Sequence, residues 1–416
     1  MAAVIQELEH HANRDRQRTR LTRTIFVAVA LGSTSLYAAF TIAPLVARDV
    51  GASRAWSGVP GAISVVGTAL GSALLSVVMA RRGRRTGLGL GWAIGVAGAI
   101  GAVVAVSRSS FVGLLVAMGL IGMAHAANQL SRFAAADLHP EARRPSVLGW
   151  VVWASTIGAA LGPSLLGLGK ATAGTLDISP LSGGFLVALV FYIAALACAA
   201  AMRPDPTELA QPDVDEPRDS VGLRAIGRFP HVQAAVVIMI VGQVTMVLIM
   251  TMTPLHISEH GHGVGVVGLV MSSHLVGMFA FAPLIGKLVG RIGSLKAATI
   301  GMALLTLAAM GAAAAPADNG YAIGAALFLL GLGWCFGFVA GSALLTSGLG
   351  YAQRIRLQGG VDGVVWTSSA VASLGSGVVL DAWGYSTLAL IGGGIVVASL
   401  ALVAGGKLQL EPATAG

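Results

Sequence analysis

Within the apolar run that begins "FVGLLVAMGLIGMA", the chain reads "HAANQLSR", from His125 to Arg132. On a period of 3.6, His125, Asn128, Gln129 and Arg132 fall on one face of a helix, so four polar groups form a stripe where neighbouring residues are apolar. Imidazole is the group whose charge changes near neutral pH, and the two amides each donate and accept. This combination suits proton exchange and hydrogen-bonded recognition. A second imidazole, His274, lies in "MSSHLVGM", also within an apolar run. These two are the candidate proton-coupling groups. The alternative for the stripe is a set of bonds between packed helices, and for Arg132 a side chain that snorkels to an interface.

A polar stripe in such a setting needs a scaffold, and composition identifies its class. Of 416 residues, 55% are hydrophobic and 11% charged, with 57 glycines and mean hydropathy +0.81. That excludes an ordinary soluble domain and describes closely packed transmembrane helices. Apolar runs long enough to cross a bilayer are expected at 24–47, 59–80, 87–106, 110–136, 146–168, 183–202, 232–257, 264–289, 297–315, 321–349, 359–381 and 386–405. The net charge of +8 could point to nucleic acid. However, all of the 26 Lys and Arg except Arg48, Arg54, Arg108 and Lys170 fall on one side of this arrangement. By the positive-inside rule that side is cytoplasmic and carries both termini; no nucleic-acid partner is expected.

The expected organisation is a basic cytoplasmic arm (1–23), a six-helix bundle (24–202), a Pro- and Asp-rich cytoplasmic linker (203–231), a second bundle (232–405) and a cytoplasmic tail (406–416). The arm lacks a convincing cleavage site, so it is not a signal peptide. Cys198 and Cys335 are read as small buried hydrophobes. The bundles are repeats: Thr41, Pro44, Leu45, Gly67, Arg81 and Gly83 meet Thr251, Pro254, Leu255, Gly277, Arg291 and Gly293 at a constant offset of 210. "VVWAS" at 151–155 meets "VVWTS" at 364–368 at an offset of 213. Parallel six-span repeats mark secondary transporters, whose site lies between halves.

The loop "SVVMARRGRRTG" resembles the major facilitator superfamily signature G-x-x-x-D-R-x-G-R-R, matching at Arg81, Gly83, Arg84 and Arg85; Ser76 and Ala80 replace its first Gly and its Asp. Its second copy, "GKLVGRIGSL", matches at Gly286, Arg291 and Gly293. Span five carries Gly149, Gly158, Gly162, Pro163 and Gly167 in a pattern similar to the antiporter signature G-x8-G-x3-G-P-x2-G-G, with Leu166 for one Gly. Ordinary small-residue packing is the other explanation of that pattern. The resemblance implies an all-α membrane protein of twelve transmembrane helices in two pseudo-symmetric six-helix bundles, working as a monomer without a cofactor. It implies that the signature Asp latches the halves by facing span eleven. Here that Asp is absent, and the candidate substitutes are Asp362, in the first turn of span eleven, and Asp137, paired with Arg81.

The resemblance also implies that spans one, four, seven and ten line a central cavity. Candidate substrate-binding residues are then Ser33, Tyr37 and Thr41 on span one, and His125, Asn128 and Gln129 on span four. Gln243, Met246 and Met250 on span seven and Trp334 and Phe338 on span ten complete them. This lining fits a moderately hydrophobic organic molecule. The expected function is proton-coupled efflux of small organic molecules across the bacterial inner membrane by alternating access; the alternatives are a proton-linked nutrient importer and, in another class, a membrane-embedded sensor or enzyme. Against the last, the sequence holds no phosphate loop, H-E-x-x-H or nucleophile elbow. In "HISEHGHG", His256, Glu259, His260 and His262 have spacings that could hold a transition metal, although a solvated loop explains them as well.

Overall fold

In a computed structural model, residues 2–50, 56, 58–210, 229–261, 264–347, 349 and 351–404 are described, with side chains from residue 12 onward and not those of 258, 264, 265, 351, 352 and 401–404. Most of the expected linker and the whole tail lie outside the described residues. Among the described residues there is no strand. The helices are α1 (Ala2–Asp49), α2 (Val59–Arg82), α3 (Arg84–Ser107), α4 (Phe111–Ala136), α5 (Arg144–Ser164), α6 (Leu166–Thr175) and α7 (Gly183–Ala201). A short α8 (Pro206–Leu209) precedes α9 (Pro230–Glu259), α10 (Val264–Leu275), α11 (Ala282–Ile292), α12 (Ser294–Ala314), α13 (Gly320–Thr346) and α14 (Tyr351–Ala404).

The pattern along α2 explains how such helices pack. Val66, Leu70, Leu74 and Val77 are exposed at helical spacing, whereas Ser64, Gly67, Thr68, Gly71 and Ser72 on the opposite face are buried. Large apolar residues therefore face outward and small ones inward, the reverse of a soluble helix and the arrangement that lipid favours. A Cβ on Gly67 would run into the backbone of Gly119, and one on Gly122 into that of Ser64, so α2 and α4 touch main chain to main chain.

Among the described residues ten helices are long and apolar enough to cross a membrane, and the pair Val266–Ala280 and Ala282–Ile292, bent by 42° around a π-helical segment Val276–Ala280, makes an eleventh. At 54 residues α14 would run about 80 Å if straight, against a hydrocarbon thickness of about 30 Å. Its helical geometry fails at Gly384 (φ 77°, ψ 172°), between the eleventh and twelfth expected spans. A twelfth span requires that interruption. Span five divides after Pro163, ending as α5 at Ser164 and resuming as α6 at Leu166. The arm is helical and continuous with α1.

The repeat survives in backbone detail. Pro44 and Pro254 both sit inside helices, and Gly83 and Gly293 share a left-handed turn at φ 87°. At Gly83 the chain reverses into α3, whose first amides, of Arg84 and Arg85, donate to the Asp205 carboxylate of the segment entering α8, at 3.2 and 3.1 Å. A carboxylate at a helix N-terminus satisfies free donors and the dipole together. The end of the molecule bearing α8 and these loops is its linker face.

Candidate functional site

The two repeats are joined at the linker face by buried charge. Arg84, the first residue of α3, donates to Asp137 Oδ2 at 2.5 Å and across the halves to Gln358 Oε1 at 2.7 Å, while Arg354 of α14 pairs with Asp137 Oδ1 at 3.6 Å. Asp137 thus sits between arginines from both halves. The expected partner was Arg81, and the structure corrects this: Arg81 lies in the last turn of α2 and is exposed, whereas the turn at Gly83 directs Arg84 back inside. Arg291 is exposed like Arg81, and Gly293 has open space beside its Cα. Arg144, buried at the start of α5, donates to Thr346 O at 3.4 Å at the end of α13.

A second cluster lies along α4. Arg132 is 1% exposed and does not snorkel. Its Nη2 donates to Asp362 Oδ1 at 2.6 Å, its Nε to Ser342 Oγ at 3.2 Å and its Nη1 to Gln129 Oε1 at 3.1 Å, and Phe133 and Phe338 flank the guanidinium at 4.2 Å each. Residues 132 and 342 are 210 apart. A pseudo-twofold axis brings equivalent positions together where it passes through the molecule, so this bond marks the axis. Asp362 thereby joins the halves, through Arg132 rather than through the α2–α3 loop.

Farther along the stripe, the Gln129 amide nitrogen lies 2.9 Å from His125 Nε2, and the His125 ring meets the edge of Trp366 at 5.3 Å between centroids. Trp366 was not among the expected site residues. The signal was present in its place four residues after Asp362, on the same helical face.

Other candidates are engaged within their own halves. Asn128 accepts from Trp92 Nε1 at 3.1 Å and donates to Ser33 Oγ at 3.2 Å, tying α1, α3 and α4. Gln243 accepts from Trp334 Nε1 at 2.8 Å and donates to Ser369 Oγ at 3.0 Å, tying α9, α13 and α14. Trp334 stacks on Phe338 at 4.5 Å. Met246 is buried, Tyr37 and Met250 are partly buried, and Thr41 is exposed with its hydroxyl on Tyr37 O at 2.7 Å. His274 is buried, its Nδ1 at 2.9 Å from Leu327 O, joining α10 to α13 away from the α4 stripe.

The glycine face of α5 changes partner along its length. A Cβ on Gly158 would strike Ser33 and Thr34, and one on Gly162 would strike Ala38 and Tyr37, all on α1 of the same half. Only Gly149, nearer the linker face, meets the other half, at Ala282 and Gly286. At the other end of the molecule, His256 stacks on Tyr385 at 4.2 Å and His260 Nδ1 lies 2.8 Å from His256 O. Among the described residues no group of three His, Cys, Asp or Glu could hold a metal; His262 lies outside them.

Two helical repeats meeting on a pseudo-twofold axis, with buried ions crossing between them at one end, have the architecture of a membrane transporter built from parallel repeats. The chain belongs to the Major Facilitator Superfamily, whose sequence profile matches residues 25–352. It is a transporter and not an enzyme. It is 33% identical over 389 residues to the MFS-type transporter YdeG of Bacillus subtilis (strain 168), covering 91% of this chain and 90% of the relative. It is 29% identical over 369 residues to the riboflavin transporter RfnT of Brucella anthropi, covering 87% and 89%. The fold is similar to that of the human organic anion transporter MFSD10, with TM-score 0.75 at 14% identity, covering 93% of this chain and 99% of that one.

Proposed function

We propose that the chain is a proton-coupled secondary transporter that exports small organic molecules, with the linker face in the cytoplasm of a bacterium and twelve spans in its inner membrane. The observation that carries the reading is the pair of buried ionic clusters at the linker face. Buried ions are costly to assemble and costly to break singly, so a cluster placed across two halves acts as a two-position gate. With that gate shut and the linker face cytoplasmic, the carrier faces outward. His125, next to the gate on the axis helix, supports proton coupling because imidazole is the side chain that exchanges a proton most readily between pH 5 and 8 in water, and its Nδ1 is buried without a hydrogen-bond partner among the described residues. Tyr37, Gln129, Met250 and Trp366, none of them fully buried, are the side chains proposed to meet substrate. They favour a planar organic molecule with hydrogen-bonding edges. RfnT is named as a riboflavin transporter, which makes riboflavin the first compound to test.

The test is flux in sealed liposomes holding the purified protein, with an imposed pH gradient and a panel of fluorescent heteroaromatic compounds that includes riboflavin. Substrate should move against its own gradient toward the acidic compartment while protons move the other way. Movement of both in the same direction would identify an importer, and transport indifferent to the pH gradient would remove protons as the coupling ion.

A further inference from the structure

His125, Gln129, Arg132 and Asp362 form an unbroken chain of hydrogen bonds from the axis helix to the other half. The orientation of its middle member is fixed by chemistry. A guanidinium carries donors only, so the Gln129 oxygen must face Arg132 Nη1, and the Gln129 NH2 group must then face His125. His125 Nε2 therefore accepts from that amide at 2.9 Å, which puts the ring's proton on Nδ1. Nδ1 is buried and has no hydrogen-bond partner among the described residues, so His125 is not a packing histidine satisfied at both nitrogens.

A second proton on His125 turns Nε2 into a donor aimed at the two donors of Gln129. Rotating the amide presents its oxygen to the ring but turns the NH2 group onto Arg132 Nη1, which keeps its bond to the Gln129 backbone oxygen and loses its side-chain acceptor, so the conflict moves without being removed. Arg132, on the same helix, is the charged side chain that the Gln129 amide links to the ring. From α14 the ring faces uncharged Trp366, with Asp362 already bound to Arg132. Toward α1 and α3, the same stretch of α4 presents Asn128 to the uncharged Ser33 and Trp92. No carboxylate in this set is free to compensate a second cation.

We propose that Gln129 is the coupling residue of the carrier: its amide accommodates either a protonated His125 or an intact Arg132–Asp362 clasp, but not both, so that proton uptake opens the linker-face gate. The proposal rests on the reading of His125 as the proton site. An unsatisfied buried donor shifts a two-state population by roughly tenfold or more. Because Arg132 also holds Ser342 and stacks between Phe133 and Phe338, loosening it loosens α4 from α13 and α14 together.

Spin labels on cysteines at Ala142 and Lys296, exposed linker-face positions in opposite halves, would report the gate in nanodiscs between pH 8 and pH 5, with Cys198 and Cys335 replaced by alanine. The wild-type sequence should gain a long-distance population by about tenfold or more as pH falls. His125→Ala and Gln129→Leu should both lose that response. Gln129→Glu should stay shut at pH 5, because a carboxylate accepts from Arg132 and from a protonated ring at once. A normal response in Gln129→Leu or opening of Gln129→Glu at pH 5, with the response lost in His125→Ala, would overturn the coupling role of Gln129 and leave His125 as the proton site. A normal response in His125→Ala would overturn the proton reading itself.

Discussion

At the scale of the residue, two arginines of the α2–α3 loop are distinguished by what they touch. Arg81 and Arg84 both match the loop signature, yet one is exposed and the other holds Asp137 and Gln358. Arg84→Ala is expected to cost about 3–5 kcal/mol, the range for removing one partner of a buried pair, whereas Arg81→Ala should stay within about 0.5 kcal/mol. Thermal melts and flux assays on the two variants check this, and equal losses would contradict the assignment. For the other pair, Asp362→Ala and Arg132→Ala should each be more harmful to folding than the double variant, which leaves no uncompensated charge. His139, in the connection between α4 and α5, bonds through Nε2 to Thr22 Oγ1 of the arm at 2.9 Å, and burial, with Arg143 and Arg18 nearby, lowers its pKa below the usual histidine range. The unfolded ring takes up a proton first as pH falls, so the stability this neutral contact supplies is full above about pH 6.5 and declines below it. Proteolysis of the arm should accelerate in that acid range, and His139→Gln should remove the dependence.

Among the elements, most expected apolar runs lie within helices able to cross a bilayer, because length and hydropathy determine that capacity, while span five divides, the eighth bends by 42° and the last two share one interrupted helix. The gap expected between 381 and 386 contains Gly384, where the helix breaks. The stripe on α4 was equally legible, since a period of 3.6 needs no tertiary information. What escaped was partner choice. Asn128 and Gln129 are adjacent amides, yet a rotation of 100° sends one to Trp92 and Ser33 and the other to His125 and Arg132. The glycine pattern of α5 announced close approach without saying to what. Because Gly158 meets α1 backbone, Gly158→Leu should abolish folded protein as well as transport, while Gly167→Leu, with open space beside its Cα, should behave as wild type. Size-exclusion profiles in detergent distinguish the two, and a monodisperse Gly158→Leu protein would show that α1 and α5 can separate at little cost.

For the whole molecule, the repeat makes closure a symmetric event. A Cβ on Gly359 of α14 would run into Ser76 of α2, and one on Gly286 of α11 would run into Pro145 and Ser146 of α5. Positions 76 and 286 are related by the offset of 210, and 146 and 359 by 213, so these are two copies of one contact, on either side of the axis that passes near Arg132 and Ser342. Each lets main chain of one half approach the other at the linker face, and neither tolerates a side chain while the gate is shut. Bulk at either position therefore acts on the equilibrium between states more than on the fold of either half, since the two surfaces part when the gate opens. Gly286→Leu and Gly359→Leu should both shift the carrier toward the state open at the linker face, to a similar degree, while Gly167→Leu, with open space beside its Cα, should not produce that state. Distances between spin labels at Ala142 and Lys296 measure the shift directly. A shut gate in both variants would mean that the halves close elsewhere, and opening in one alone would mean that the repeat, although preserved in backbone geometry, no longer works as a symmetric pair.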